Sequence, residues 1–441
     1  MSRADARRRL AAALLAGGSL TAPLGAQASL SAVERRLAGA VDARQPAALA
    51  LVERLVNVNS GTMNFAGVQE VGRLLRAELD ALGFRTRWID GAPFGRAGHL
   101  VAERMGRADS PRVLLIGHLD TVFEKDSPFQ RFTRLPGDKA SGPGAIDMKG
   151  GDVVMLLALQ ALRDAGLLDR LSFKVVLTGD EEDSGDPLAV ARAELTAAGD
   201  WADVALGFED GDGKIEHAVT ARRGSSGWLL RTTGKPAHSS LIFRDDFGYG
   251  AIYELARILD GFRSELAGEA YLTFNPGVVL GGTTVEFDPV QLRGTAFGKS
   301  NVIAGDAVVS GDLRTISPEQ LERTHRRMRE IASANLPHTS AELTFQEGYP
   351  PMAPTEGNQR LLGLADRASR DLGLGPIEAT DPNQAGAADI SFVASRVDMA
   401  LDGLGMKGTG GHTVEETADL ATLAIQAKRV AVLLHRLDAQ R

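Results

Sequence analysis

Cysteine is absent from this 441-residue sequence, which excludes both disulfide bonds and thiolate metal ligands. Any bound metal would have to be held by histidine and carboxylate groups, which suit zinc and its neighbours. An excess of basic residues is also lacking, because the formal net charge is −8 and no basic stripe carries stacking aromatic residues. We therefore expect no nucleic acid among the partners of this protein.

A long hydrophobic run is lacking as well, because the apolar stretch at residues 10–24 is too short to span a membrane. It follows three arginines at residues 7–9 and precedes Ala26-Gln27-Ala28, a small-x-small cleavage pattern. This order predicts a signal peptide over residues 1–28, cleaved near Ala28, and a periplasmic or secreted protein without a membrane partner. The pair Arg8-Arg9 leaves the twin-arginine route open. The alternative interpretation is a disordered or helical N-terminal arm.

The stretch from Val113 to Gly151 organises the rest of the chain. It opens with an apolar run that predicts a buried parallel strand, which is followed directly by His118 and Asp120. A long loop then leads to Asp147, just before a predicted helix. Because open α/β sheets bind ligands at the carboxyl ends of their strands, His118 and Asp147 are expected on the same side of one sheet.

The length of the chain predicts more than one domain, because 441 residues exceed one ordinary core. Strands and helices alternate from residue 29 to 218, with one helix predicted near 187–198, which is typical of an α/β domain. Alternating strands with two helices then indicate an inserted α+β unit over 219–347. Residues 348–441, with a predicted helix at 416–437, complete the first domain.

Five residues with metal-binding side chains follow apolar strands or stand in a glycine-rich loop: His118, Asp147, Glu182, Glu209 and His412. Taken singly, each has an ordinary explanation, since a histidine after a strand more often caps or packs and an acidic pair can be a solvated turn. Taken together they favour a metal site, because chance would have to place five suitable ligands at successive strand edges.

These residues belong to longer motifs, which are His118-x-Asp120, Gly142-Pro143-Gly144-x-x-Asp147-Met148-Lys149-Gly150, Asp180-Glu181-Glu182, Glu209 and Gly411-His412-x-x-x-Glu416. In combination they resemble the M20 metallopeptidases, most closely the carboxypeptidase G2 branch, over nearly all of residues 35–437. The resemblance implies a zinc-peptidase catalytic domain with a mixed sheet and helices on both faces. It also implies that the inserted α+β unit is a lid or dimerisation domain.

The resemblance implies a site for two zinc ions in each subunit. Asp147 would bridge the two ions. His118 and Glu209 would be the other ligands of the first ion, and Glu182 and His412 would be the other ligands of the second.

Two further carboxylates receive catalytic roles from the resemblance. Glu181 would be the general base for the attacking water, and Asp120 would orient the imidazole of His118. In the family, the peptide bond that follows the bridging aspartate is cis. No serine or cysteine nucleophile is required, and no Gly-x-Ser-x-Gly elbow supports one.

The inserted unit would supply substrate-binding residues. His238 matches the lid histidine of the family, which stabilises the oxyanion, often across a dimer interface. Asn301 and Arg314 match lid residues that bind the substrate carboxylate, for which arginine offers a bidentate fork. The alternatives are a surface loop for His238 and a pairing within the lid for Arg314.

Two other segments bear on the substrate. The loop around Gly386 would lie beside the substrate carboxylate, but it carries alanines where the family usually has glycines. Arg222 and Arg223 would either add positive charge near the substrate or only cover the surface.

The expected function is hydrolysis of the amide bond to a C-terminal amino acid, Glu or Asp, in a small peptide or N-acyl amino acid. An N-acyl-amino-acid deacylase or a dipeptidase of the same family is the alternative within enzymes. A non-catalytic peptide-binding protein is a remote alternative, because neither the base nor any ligand is lost. A homodimer through the inserted unit is also expected from the resemblance.

Overall fold

The computed structural model describes residues 30–439, so the predicted signal peptide lies outside the described residues. The α-helices in this range are α1 (Ala32–Val56), α2 (Phe65–Ala81), α3 (Lys149–Asp164), α4 (Leu188–Ala191), α5 (Ala193–Trp201), α6 (Ala251–Leu266), α7 (Pro318–Ser333), α8 (Glu356–Asp371) and α9 (Ala421–Asp438). Among the described residues, none of the helices combines the length and apolar character needed to cross a membrane.

The strands in the same range form two larger sheets and several small ones. They are β1 (Arg85–Asp90), β2 (Gly98–Arg104), β3 (Arg112–His118), β4 (Thr133–Leu135), β5 (Lys139–Ser141), β6 (Ser172–Thr178), β7 (Val204–Gly207), β8 (His217–Ala218), β9 (Gly224–Thr233), β10 (Thr273–Gly282), β11 (Thr284–Asp288), β12 (Arg293–Phe297), β13 (Asp306–Thr315), β14 (Ser340–Tyr349), β15 (Glu378–Ala379), β16 (Met399–Leu401), β17 (Gly408–Thr409) and β18 (Thr417–Asp419).

The first sheet has six strands in the order β1-β2-β6-β3-β7-β16. Strands β6, β3, β7 and β16 run parallel, whereas β2 is antiparallel to both of its neighbours. Its central strand β3 is apolar on both faces: Val113 and Leu115 pack into one core cluster, and Leu114 and Ile116 pack into another. Helices α1, α3 and α9 cover one face, and α5 covers the other. The predicted mixed sheet with helices on both faces is confirmed.

The second sheet is antiparallel, in the order β10-β13-β9-β14. Its buried face packs against α6 and α7 through a separate core cluster that includes Trp228, Phe262 and Met328. The strand alternation predicted for this part of the chain therefore reflects a sheet with one covered face. The domain boundaries 29–218, 219–347 and 348–441 stay a prediction.

Two helix predictions need correction. The helix predicted at 416–437 begins only at Ala421, because Thr417–Asp419 forms strand β18 and pairs with β5. The helix expected near 187–198 is broken into α4 and α5 at Arg192, a residue that is 1% exposed and held by buried aspartates.

Candidate metal centre

Neighbouring strand ends of the first sheet position three of the predicted site segments. Strand β3 ends at His118, the loop after β6 carries Glu181 and Glu182, and Glu209 follows β7. Because β6, β3 and β7 are parallel neighbours, their carboxyl ends share one edge of the sheet.

A small sheet, ordered β17-β18-β5-β4, positions the remaining ligands. Strand β5 leads into the loop of Asp147, and His412 lies in the loop between β17 and β18. Since β18 pairs with β5, the two loops leave the same small sheet and meet at the edge of the first one.

The five predicted ligands form two groups that share Asp147. In the His118 group, the Nε2 atom of His118 lies 3.0 Å from Oδ1 of Asp147 and 3.6 Å from Oε1 of Glu209. In the His412 group, the Nε2 atom of His412 lies 2.8 Å from Oδ2 of Asp147 and 3.1 Å from Oε2 of Glu182. Asp147 therefore offers a different oxygen to each group, which is the geometry that a bridging ligand requires.

The donor set fits divalent metal ions. Both groups consist of imidazole nitrogen and carboxylate oxygen, the ligands that zinc accepts when cysteine is absent. Oε1 of Glu182 is buried and makes no hydrogen bond within residues 30–439, so its lone pairs are available to a metal ion. Burial and the neighbouring Asp147 raise the pKa of Glu182, and burial raises the pKa of Glu209 well above its usual range. Dications would offset the crowding of these carboxylates.

The neighbouring carboxylates raise the pKa of both imidazoles. The hydrogen bonds to Asp147 and Glu182 raise the pKa of His412 to about 11. Burial acts to lower the pKa of His118, but the carboxylates of Glu209, Asp120 and Asp147 raise it well above its usual value. In each ring Nε2 is the atom that faces the carboxylates of its own ligand group, and a metal ion would take the place of its proton.

Asp120 connects His118 to the loop of Glu181. Its main-chain oxygen lies 3.2 Å from Nδ1 of His118, and its carboxylate accepts hydrogen bonds from the backbone N–H groups of Glu181 and Glu182, both at 3.1 Å. The hydroxyl of Thr62 donates a further hydrogen bond of 2.7 Å to the same carboxylate. The prediction gave the orienting role to the carboxylate of Asp120, whose Oδ1 lies 3.4 Å from Nδ1 of His118. The main-chain oxygen is the closer partner of Nδ1, and Nε2 is left directed at Asp147.

The loop of Asp147 is held by residues whose roles the sequence did not reveal. The bond Asp147–Met148 is cis, as the resemblance implies. The buried carboxylate of Glu416 accepts hydrogen bonds from the N–H groups of Gly144 at 3.1 Å and Ile146 at 2.8 Å. Glu416 was part of a recognised motif, and its spacing from His412 was the available signal for this role.

Glu181, the predicted base, adjoins the His412 group. Its backbone N–H is bound by Asp120, and its carbonyl oxygen accepts a hydrogen bond of 2.8 Å from the hydroxyl of Tyr349. Its carboxylate makes no hydrogen bond within the described part of the chain, and burial raises its pKa well above the usual range. The backbone is therefore fixed while the carboxylate itself is left for the reaction.

Arg222 is buried, so the interpretation that it covers the surface is wrong. Its guanidinium pairs with Asp402 at 2.9 Å and donates a hydrogen bond of 2.6 Å to the carbonyl of Gly386. The other oxygen of Asp402 accepts the N–H of Glu209 at 3.3 Å. Arg222 thus holds the Glu209 and Gly386 loops, with its charge balanced by Asp402. Arg223 donates to the hydroxyl of Thr273 at 3.1 Å.

The three substrate-binding residues predicted in the inserted unit do not all lie together. The His238 segment lies beside Asn301, whose carbonyl accepts the N–H of Ser239 at 2.9 Å. Both lie near the end of the sheet where Thr233 and Asp306 are paired, whereas Arg314 lies near the opposite end. Ten residues of strand separate the ends, a distance of roughly 30 Å.

Arg314 also has a partner of its own, because its Nε lies 3.0 Å from a carboxylate oxygen of Asp312. Its terminal nitrogens make no hydrogen bond within residues 30–439. No hydrogen bond or ion pair in that range joins His238, Asn301 or Arg314 to either ligand group. The roles of these three residues therefore stay predictions.

Comparisons with known proteins identify the family of the chain. The family model described as peptidase family M20/M25/M40 matches residues 114–436. Carboxypeptidase G2 of Pseudomonas sp. is 27% identical over 399 residues, covering 90% of each chain. A succinyl-diaminopimelate desuccinylase of Variovorax paradoxus is 25% identical over 410 residues, covering 89% of this chain and 98% of the relative.

Solved structures share the fold over nearly the whole chain. An aminopeptidase PepT from Bacillus cereus superposes with a TM-score of 0.70 at 19% identity, covering 89% of this chain and 98% of its own. A Bacillus subtilis protein described as a dinuclear metal-binding peptidase of the M20 family gives a TM-score of 0.63 at 16% identity, with 91% and 100% covered.

Proposed function

This chain belongs to peptidase family M20/M25/M40, and we propose that it is a di-zinc exopeptidase releasing a C-terminal Glu or Asp from a small peptide or N-acyl amino acid. The observation that carries the proposal is Asp147, which directs one carboxylate oxygen to each ligand group. A single-ion site would not need a carboxylate placed between two imidazoles.

The residues divide the chemical work between them. Two bound zinc ions would lower the pKa of a water molecule and polarise the scissile carbonyl. The carboxylate of Glu181 accepts the proton of the attacking water and returns it to the leaving nitrogen. Asp120 fixes the positions of Glu181 and His118 relative to each other, because it makes hydrogen bonds to both residues.

The acidic leaving group is proposed from Arg314 and from the similarity to carboxypeptidase G2. The hydrogen bonds of Arg314 to Asp312 use Nε, which leaves the two terminal nitrogens for a substrate carboxylate. Arg222 is not part of this proposal, because its charge is already paired with Asp402.

A deacylase acting on N-acyl amino acids is the second candidate. It is favoured by the similarity to succinyl-diaminopimelate desuccinylases, three of which align over 88%, 89% and 91% of this chain. Two of the three alanines beside Gly386, Ala385 and Ala388, are buried, so their methyl groups do not decide between the two candidates.

We also propose a homodimer in which His238 serves the metal centre of the partner subunit. The support is the separation of His238 from Arg314 and an apolar surface near it. Phe243, Ile252 and Tyr253 are each about half exposed, and β10 is an edge strand of the second sheet. A second copy of this chain would cover these side chains and that edge.

Export is a further proposal, motivated by the predicted cleavage after Ala28. The intact mass of the protein recovered from the periplasm or medium should correspond to a chain that begins at Ser29. Recovery of the full-length chain from the cytoplasm alone would contradict export.

The function is tested by a release assay on the zinc-loaded protein. A panel of dipeptides and N-acyl amino acids varies the C-terminal residue, with Glu181→Gln as the control. Preference for C-terminal Glu or Asp, abolished in the control with metal retained, is the expected result. Efficient turnover of short acyl groups on neutral amino acids would establish the deacylase instead. Full activity of Glu181→Gln would overturn the proposed mechanism.

A further inference from the structure

Tyr349 connects the second sheet to the loop of Glu181. It is the last residue of β14, the strand by which the chain leaves the second sheet, and it lies opposite Ser225 at the start of β9. Its hydroxyl donates a hydrogen bond of 2.8 Å to the main-chain carbonyl of Glu181. The two residues are 168 positions apart in sequence, so only the fold brings them together.

The hydroxyl of Tyr349 is itself held from behind. Arg192 donates to it from Nη2 at 2.8 Å, and Ser184 donates from its hydroxyl at 3.3 Å. These two donors occupy the lone pairs of the phenol oxygen and leave its proton for Glu181. Burial and the nearby Glu181 raise the pKa of Tyr349 well above its usual value, so the proton stays in place.

Arg192 is a rigid anchor for this arrangement. It is 1% exposed, and its guanidinium pairs with Asp180 at 2.6 Å and with Asp389 at 2.9 Å. It also lies over the ring of Tyr349, 5.6 Å from the centroid. A charge buried between two aspartates has little freedom to move, and the phenol oxygen is fixed with it.

The position of Glu181 is set through its backbone, because its N–H and carbonyl groups make hydrogen bonds and its carboxylate makes none within the described residues. Asp120 binds its N–H at 3.1 Å, and Tyr349 binds its carbonyl. With the peptide groups on both sides fixed, the direction of the Cα–Cβ bond is fixed too. The direction of the carboxylate is then set by the backbone, and no hydrogen bond to the carboxylate itself competes with the attacking water.

We propose that Tyr349 is a positioning residue that holds Glu181 in its reactive place, with Arg192 as its anchor. This inference rests on the proposed function, in which Glu181 is the base. Because Tyr349 belongs to the exit strand of the second sheet, the base is supported from outside the sheet that carries it.

The test compares Tyr349→Phe with Tyr271→Phe. The first change removes only the hydroxyl, and the ring keeps its contact with Phe392. Arg192 also keeps hydrogen bonds from Nη2 to Ser184 and to the Asp180 carbonyl, both at 3.0 Å, so we expect this variant to fold. Tyr271 is 37% exposed and makes no hydrogen bond through its hydroxyl in the described residues, which makes it a matched control.

In the zinc-loaded Tyr349→Phe protein, kcat should fall by about 10- to 100-fold while KM changes little, because a misplaced base weakens the chemical step more than binding. Metal content should equal that of the wild type, and Tyr271→Phe should be unchanged in every respect. An undiminished kcat, or a loss of activity in proportion to a loss of metal, would overturn the proposal.

Crystal structures of the two variants provide a readout that does not depend on turnover. In Tyr349→Phe the carboxylate of Glu181 should be displaced or disordered, with His118, Asp147 and Glu182 unmoved. A Glu181 that keeps its place would contradict the positioning role. If the wild type cleaves none of the substrates, the proposed function fails, and this comparison still decides whether Tyr349 holds Glu181.

Discussion

In the first sheet the predicted functional residues converge, whereas in the second sheet they stay apart. His118, Glu182 and Glu209 lie at the ends of parallel neighbouring strands, and each shares with Asp147 a group whose ligand atoms are within 4.8 Å of one another. His238 and Arg314 lie near opposite ends of antiparallel strands in the second sheet. Parallel strands bring their carboxyl ends to one edge, but successive antiparallel strands do not. The ligand groups of the first region are therefore assembled within one chain, whereas the residues of the second stay apart, as expected if the proposed dimer supplies a second surface.

The largest expected effect comes from the residue that the two ligand groups share. Asp147→Asn should lower activity by about a thousandfold or more, because it weakens both groups at once and with them the electrostatic stabilisation of the transition state. Metal analysis of the purified variant should find fewer than two ions per chain.

Glu209→Gln is the matched control for Asp147, because Glu209 belongs to the His118 group alone. We expect this variant to keep the ion of the His412 group. Two firmly bound ions in Asp147→Asn would contradict the bridging role and, with it, the completeness of the site within one chain.

A smaller but more informative effect is expected from mixing two variants. His238→Ala should lower kcat about 100-fold, as the removal of an oxyanion donor does. After subunit exchange with Glu181→Gln, activity should return to about one quarter of the wild-type value, since half of the dimers are mixed and each has one intact site.

The control for this experiment is each variant exchanged with itself, which should stay inactive. Sedimentation establishes whether the proteins are dimers at the assay concentration. A fully active wild-type monomer, or mixed dimers without recovery, would show that His238 does not serve a partner subunit.

Arg314 should affect binding more than chemistry. Arg314→Lys replaces a planar fork by a point charge, so KM for substrates with a free C-terminal carboxylate should rise about 10- to 100-fold, with a smaller change in kcat. For substrates with an amidated C-terminus, KM should be the same in Arg314→Lys as in the wild type. An equal change for both substrates would indicate that Arg314 supports only Asp312 and its own strand.

Much of the first sheet could be predicted from local pattern. The apolar runs of β3, β6 and β7 and the polar residues that follow them are visible in the sequence, and the motifs contain the five residues that form the two candidate ligand groups. Strand β18 was missed, because Thr417–Asp419 pairs with β5 far away in the chain and no local alternation marks it. The break between α4 and α5 was also missed, because it occurs at Arg192, whose partner Asp389 is far away in the chain.

The supporting contacts of the site could not be predicted in the same way. Tyr349 reaches Glu181 across 168 positions, and Arg222 reaches Asp402 across 180. Each bond joins ordinary residue types whose meaning depends on the packing of two sheets. Glu416 is an intermediate case, because its motif was recognised but its acceptor role required the fold.

The smallest effect compares one buried and one exposed hydrogen bond. Thr62 donates to the fully buried carboxylate of Asp120, whereas the hydrogen bond between Ser240 and His238 is exposed. Thr62→Val should lower the free energy of unfolding by about 1–3 kcal/mol, because a buried acceptor loses a partner. Ser240→Ala should change it by less than about 0.5 kcal/mol, since water replaces the lost bond at an exposed site. Urea denaturation of both variants measures the difference. Equal losses would mean that the second sheet is as tightly organised as the first, and the contrast between a complete and an incomplete region would then fail.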